Sequence, residues 1–255
     1  MTAATAAKAA PIRWTLTWAT ARRVLAQLRH DPRTIAMLIV VPAVLMILLR
    51  YVLDNPVALN RFAPELIGVF PFVVMFIVAA VTTQRERARG TLERLMAMPL
   101  GKLDLLAGYA IAFGVIACIQ VGVVLAISLT WLGIQLPGPV TPLVVVAVLD
   151  ALLGMSLGLF ASAFARTEFQ AVQFMPAFVL PQTLLCGVVV ARDHMTEVLR
   201  LLSDVLPLSY AVDAMQQIAV GASWSGQMTR DIGVILGFTG GALIGGALTL
   251  RRRTP

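Results

Sequence analysis

The sequence is short of charge. Lys, Arg, Asp and Glu make up 13% of its 255 residues, about half the share found in a soluble globular domain. So few charges cannot build a water-facing surface, so much of the surface faces lipid. Cysteine is scarce too. Cys118 and Cys186 each sit in an apolar run and form neither a CxxC nor a zinc spacing, which excludes a disulfide framework and leaves small packing residues. The only histidines are His30 and His194, with no HExxH. A Walker A loop needs G-x-x-x-x-G-K-[ST]. Gly101-Lys102 comes nearest, but Met96 stands where the first glycine belongs and Leu103 where Ser or Thr belongs. The chain is therefore not expected to be an ATPase. No G-x-S-x-G lies where a hydrolase needs it, at a strand-to-helix turn. Residues 1–34 lack the apolar core and small-residue cleavage site of a secretory signal.

What is present is apolar: 59% of residues are hydrophobic and the mean hydropathy is +0.87. A membrane-crossing helix needs about 20 apolar residues. Continuous runs of that kind fall near 35–53, 63–83, 105–132, 143–165, 171–191 and 231–250. They do not alternate as barrel strands would. The expected fold is all-α: a polytopic membrane protein with six transmembrane helices.

The net charge of +7 flanks these runs and reads as a topology signal and a contact for anionic lipid, so no nucleic-acid partner is expected. With six spans, one side would hold residues 1–34, 84–104, 166–170 and the basic tail 251–255. Fifteen of the twenty Lys and Arg fall there, against Arg50, Arg61, Arg192, Arg200 and Arg230 on the other. The positive-inside rule puts both termini in the cytoplasm.

Three shorter segments have their own pattern. Trp14, Trp18, Ala21, Leu25 and Leu28 lie on one helical stripe, with Arg22, Arg23 and Arg29 off it. This predicts an N-terminal amphipathic helix, at the membrane interface or packed on protein. Residues 192–222 carry Leu199, Leu202, Val205 and Leu206, then Tyr210, Ala211, Ala214 and Ile218, divided by Pro207. Two short helices forming an outer re-entrant hairpin before the last span are one reading, and a plain outer loop is the other. Residues 84–100 are dense in charge of both signs. Gly90 can take φ > 0 and end the helix of the second span, Thr91 can cap a new one, Glu93 would sit in its first turn and Pro99 ends it. Leu92, Leu95 and Met96 fall on one face. Such a helix suits a groove on a cytoplasmic partner, or is a solvated connector.

Glu86, Gly90-Thr91, Glu93 and Pro99 resemble the first coupling helix of ABC type 2 permeases, the membrane subunits of ATP-binding-cassette exporters. Pro207-Leu208-Ser209-Tyr210 resembles that family's motif before the last span. Gln216 and Gln217 stand where the family usually has a basic residue. The resemblance covers essentially the whole chain: 1–34 as cytoplasmic N-terminus, 35–250 as transmembrane domain and 251–255 as cytoplasmic tail. It implies a bacterial cytoplasmic-membrane protein that pairs with a second permease copy or paralogue and docks two copies of an ABC ATPase subunit. ATP and Mg would be bound by that partner, with no cofactor in this chain. Arg85, Glu86, Arg87, Gly90, Thr91, Glu93 and Arg94 would make or shape the ATPase contact, with Arg166 and Glu168 in a second, smaller one. The substrate would be an amphipathic or hydrophobic small molecule, a drug, antibiotic or lipid.

Inside the expected spans, Asp150 is a candidate because a carboxylate at a bilayer centre costs at least about 2.5 kcal/mol. It either serves function or accepts a helix–helix hydrogen bond. Phe72, Phe76, Gln120, Phe174, Phe178 and Gln182 could line a substrate path or simply pack and bond helices. Pro42, Pro71, Pro176 and Pro181 interrupt spans and suggest kinks. Gly233, Gly237, Gly241 and Gly245, and the shorter pair Gly154 and Gly158, read as stripes that let a neighbouring helix come close. Two rival functions remain, an ion-coupled secondary transporter and a non-transport membrane scaffold. The first would typically show internal repeats and more intramembrane charge. The second has no need for a charged surface helix at 84–100.

Overall fold

A computed structural model describes residues 13–91, 94–95, 101–222 and 224–249. The expected coupling residues Glu93 and Pro99, the apolar residues Leu92 and Met96, and the basic tail 251–255 lie outside the described residues.

The chain order is α1 (Trp14–Arg29), α2 (Pro32–Leu53), α3 (Pro56–Ala88), α4 (Lys102–Thr130) and α5 (Val140–Ser162). A broken segment follows, made of α6 (Glu168–Phe174), a π turn (Met175–Val179) and α7 (Leu180–Leu185). A short hairpin comes next, α8 (Glu197–Val205) and α9 (Pro207–Ala219), then α10 (Gly226–Thr249). Among the described residues, α2, α3, α4, α5 and α10 are long and apolar enough to cross a membrane. The protein is an all-α polytopic membrane protein.

The helix starts follow local chemistry. Asp31 accepts from the Thr34 amide at 3.2 Å and its hydroxyl at 2.8 Å, with Pro32 opening α2. Asn55 accepts from the amides of Val57 and Ala58 ahead of α3, which Pro56 opens. In both places a capping side chain satisfies free N–H groups and proline occupies the first turn, where its missing donor costs nothing. These caps start α3 well before the expected residue 63. Its 33 residues make a rod about 50 Å long at 1.5 Å per residue, longer than a bilayer core of about 30 Å. It ends where expected, at Gly90, whose φ is +67°.

The run expected at 171–191 is not one regular helix. Pro176 and Pro181 each remove a backbone donor five residues apart, and a π turn takes up the mismatch. By contrast Pro42, Pro64 and Pro71 are carried inside continuous helices.

The core is the seam between α3 and α5. A Cβ on Gly154 would stand 2.3 Å from the Phe72 carbonyl oxygen, and one on Gly158 2.3 Å from that of Phe76. These glycines are the close-packing device expected of them. Gly154-Met155-Ser156-Leu157-Gly158 thus spells a hydrolase motif with a packing role, and the Ser156 hydroxyl donates to the Leu153 carbonyl. The longer stripe behaves differently. Gly233, Gly237 and Gly241 have no neighbour within 4 Å of a Cβ position, and only Gly245 meets a ring, that of Phe160. Helix α10 does pack closely on α5, but Gly237 and Gly241 border an open apolar groove beside that contact rather than forming it.

Helix α1 corrects a second expectation. Its buried residues are Thr17, Thr20, Ala21, Val24 and Leu28, and it packs on α4. A Cβ on Gly108 would come within 2.6 Å of Thr20, so that glycine seats the helix. Thr17 and Thr20 bury their hydroxyls by returning them to the carbonyls of Arg13 and Leu16. Trp14 and Trp18 are exposed. The predicted stripe therefore divides, with Ala21 and Leu28 facing protein and the tryptophans left free to meet lipid headgroups.

Candidate functional site

The ion pairs gather at the two ends of the bundle. At the Gly90 end, α3 carries Gln84 and Glu86 into the protein rather than out of it, both buried. Glu86 accepts from the Tyr109 hydroxyl of α4 and pairs with Arg23 of α1 at 3.1 Å. Arg23 also donates to the Tyr109 hydroxyl at 3.3 Å. One carboxylate thus ties three helices together. Arg85 points the other way. Its Nε meets Glu168 at 2.8 Å and its guanidinium lies 3.7 Å from Asp31. The Thr34 bonds and Arg85 hold the Asp31 carboxyl below the usual carboxylate range. The end of α3 is therefore clamped to the starts of α2 and α6.

Past this clamp the chain turns sharply. The Gly90 amide donates to the Arg87 carbonyl at 3.1 Å, and the Arg94 amide donates back to Gly90 at 3.1 Å, so a new helical turn begins after the glycine. A Cβ at Gly90 would meet nothing within 4 Å. The glycine answers to its positive φ and not to crowding. A cleft of about 570 Å³ opens here, lined by Arg23, Gln27, Asp31, Arg85, Arg89 and Thr91 among others. Nearby, Asp104 accepts from the Arg13 amide at 2.7 Å and from the Gly101 amide at 3.2 Å. Lys102 donates to the Ala247 carbonyl at 3.2 Å.

The two sequence segments expected to face a partner, 84–100 and 166–170, are brought together by Arg85 and Glu168. Arg89 and Arg94 are exposed, Arg87 is half-buried and Arg166 is exposed. Glu86 is the inward member of the set. Arg23 and Tyr109 were missed by sequence reasoning. Arg23 sits off the apolar stripe and looks like an ordinary positive-inside charge. The available signal was a lone tyrosine about one turn into the third apolar run, near the same end as a glutamate three residues past the second.

At the opposite end, Arg192 pairs with Asp204 of α8 and Asp213 of α9 and stacks 6.0 Å from the Tyr210 ring centroid. Tyr210 donates to the Asp204 carbonyl at 2.7 Å. Ser203 donates to the Leu185 carbonyl at 2.7 Å and lies 3.0 Å from the Ser209 hydroxyl. The hairpin is thereby fastened to the end of α7. Burial pushes the Asp213 carboxyl up to about 6, against the pull of Arg192. Gln217 bonds Asp231 at 3.1 Å and receives the Ser225 hydroxyl at 2.7 Å, so it organises the turn into α10. A basic group does stand beside the Pro-Leu-Ser-Tyr segment, but Arg192 supplies it from the preceding loop.

The expected path residues do not converge on one cavity. Phe72 and Phe76 are buried in the α3–α5 seam, Gln120 is buried in α4 and Asp150 in α5. Phe174 and Phe178 pair at 5.9 Å on the broken segment, where Phe178 is exposed. Gln182 is buried and donates to the Phe178 carbonyl at 3.2 Å.

The ABC-2 type transporter family matches residues 15–220. The chain belongs to it. Among curated ABC-2 relatives, the probable multidrug ABC transporter permease YbhR of Escherichia coli K12 is 29% identical over 155 residues, 61% of this chain and 42% of YbhR. YbhS of the same organism, also named a probable multidrug ABC transporter permease, is 26% identical over 167 residues, 64% of this chain and 44% of YbhS. The linearmycin resistance permease protein LnrN of Bacillus subtilis is 27% identical over 186 residues, 71% and 48%. The chain thus spans less than half the length of these relatives.

Proposed function

We propose that this chain is the permease subunit of an ATP-driven exporter that moves an amphipathic or hydrophobic small molecule, a drug or antibiotic, out of the cell. A separate ABC ATPase would bind ATP and Mg. Two copies of that ATPase would dock on a pair of permeases, through the turn at 84–100 and the adjoining Arg166–Glu168 segment. The names of YbhR, YbhS and LnrN support the substrate class.

The observation that carries the reading is α3. It is one unbroken helix from Pro56 to Ala88. One end is clamped by Glu86 and Arg85 at the candidate docking turn. Its middle passes under the hairpin, where a Cβ on Gly68 would run into the Met215 side chain of α9. A rod held at one end and packed under the hairpin near its middle can carry a displacement from one to the other, because packed interiors resist compression. An ATPase pushing at Gly90 would move the hairpin.

The broken segment supports six crossings. It starts beside Arg85, at the Gly90 end, and finishes beside Ser203, at the hairpin end. Counting it as a crossing puts both termini on one side, the cytoplasmic one by the basic residues. The hairpin then lies on the outer face and α1 at the inner interface.

The test is reconstitution with the cognate ATPase in liposomes. Gly90→Pro and Arg89→Glu, the latter at an exposed residue of the docking cleft, are expected to leave ATP hydrolysis measurable while abolishing its coupling to transport. Full transport by correctly assembled variants would refute the docking assignment. Transport driven by an ion gradient without ATP would favour the secondary-transporter reading.

A further inference from the structure

Beneath the hairpin lie two carboxyl groups that the coupling scheme does not use. Asp150 of α5 is completely buried, and neither of its oxygens has a hydrogen-bond partner. Glu65 of α3 is 4% exposed, and its Oε2 is likewise unpartnered. They face one region. A Cβ at Gly68, one turn along from Glu65, would stand 3.5 Å from Asp150 Oδ2. The Gln216 amide approaches Glu65 from α9. Among the described residues no Lys or Arg lies within 4 Å of either carboxyl. The nearest basic influence is Arg61, one turn out on α3. Elsewhere the buried acids have partners: Glu86 pairs with Arg23, Asp104 accepts from the Arg13 and Gly101 amides, and Asp231 from Gln217. Asp150 has none among the described residues, although an unpaired acid within a membrane domain is among the costliest groups to retain.

The cover is soft. The Met215 side chain occupies the space beside Gly68, and methionine is unbranched, flexible and polarisable. We propose that Glu65 and Asp150 form a binding station for a monovalent cationic group under the hairpin, supplied by the charged nitrogen or phosphorus of an amphipathic substrate or by an alkali ion. Two carboxyl groups accept such a group where the surroundings provide no other counter-charge, and an unpaired buried acid gains most from one. An amphiphile's apolar part would rest on Met215 and the surrounding α3–α5 core. As a substrate station the site rests on the exporter reading above; as an ion site it stands alone.

The test is binding to the purified full-length chain in nanodiscs, without ATPase, using radiolabelled tetraphenylphosphonium in sodium-free buffer and, separately, ²²Na⁺. If the substrate supplies the charge, tetraphenylphosphonium binds, and Asp150→Asn and Glu65→Gln each weaken it by roughly tenfold or more. Asp150→Glu retains part of the affinity, and Asp54→Asn, at an exposed turn, changes nothing. If the cation is an ion, ²²Na⁺ alone binds and the same variants lose it. No binding of either probe, or unchanged binding in folded Asp150→Asn and Glu65→Gln proteins, overturns the proposal. ATP-driven transport of neutral Nile red by the reconstituted complex separates the two readings. Transport without cation binding sinks the station and keeps the exporter, while cation binding without any ATP-driven transport does the reverse.

Discussion

Removing the Arg23 side chain should loosen α1 from the bundle by a predictable amount. Glu86 is 8% exposed as a side chain and Arg23 25%. Losing one partner of a fully buried pair costs about 3–5 kcal/mol, and of an exposed pair about 0–1 kcal/mol. With one partner buried and the other a quarter open, Arg23→Ala should cost about 2 kcal/mol, because Glu86 keeps its Tyr109 hydroxyl. For a chain of this size that lowers the melting temperature by roughly 4–8 °C. Tyr109→Phe should cost about 1 kcal/mol through the lost hydroxyl bond. Both side chains act on one carboxylate, so the double variant should depart from additivity by at least about 0.5 kcal/mol. The assay is thermal unfolding in detergent, with Arg22→Ala as the control at an exposed neighbour. An Arg23→Ala melting temperature within a degree of that control, or strict additivity in the cycle, would refute the idea that Glu86 holds three helices.

The remaining predictions test other contacts. Gly154→Ala and Gly158→Ala should each destabilise by about 1–3 kcal/mol or more, since the new methyl meets backbone carbonyls at 2.3 Å; Gly237→Ala, with nothing nearby, should leave the melting temperature unchanged. Exchanging the charges in an Arg85→Glu, Glu168→Arg double variant should restore only part of the stability that either single change removes, because a carboxylate at position 85 would also meet Asp31; each single loss should stay below about 1 kcal/mol because the pairs are solvent-exposed. Asp213 binds protons more tightly folded than unfolded, with its carboxyl at about 6 against 3.8. Its contribution to stability is therefore largest below pH 3.8 and falls as pH rises to about 6. Asp213→Asn should remove that slope in melting curves recorded between pH 4 and 7, and an unchanged slope would mean that burial of this carboxyl has been misjudged.

Most of the helices were legible because lipid demands long apolar runs and because Asp31-Pro32, Asn55-Pro56 and Gly90 write helix ends into local chemistry. The turn after α3 was legible for the same reason, since Gly90 needs only its own backbone to act. Contacts between segments were not. The pairing of Arg23 with Glu86 spans 63 residues, and that of Arg85 with Glu168 spans 83. Periodicity assigns a residue to a face but cannot say which neighbour that face meets. Thr17 and Thr20 look polar in a string of letters, yet they bury by bonding their own helix. The α10 glycines look like a packing seam, yet whether a helix fills a seam depends on the neighbour. The break at 175–179 was half visible, as two prolines in an apolar run, because a π turn depends on how the freed carbonyls are satisfied by their surroundings.

That break also bears on how the chain is made. Segments α2 to α5 can each enter a bilayer alone, with backbone groups satisfied inside one helix. The segment 168–185 cannot do so equally well. It carries Gln170, Gln173 and Gln182, and its π turn interrupts the ladder. Its insertion depends on helices already in place, above all α3, against which α6 and the π turn pack. The hairpin and α10 follow it in the chain, so their topology inherits the outcome. Damage to the Phe72 and Phe76 seam would then surface during biogenesis, as chains whose C-terminal third is left on the wrong side of the membrane.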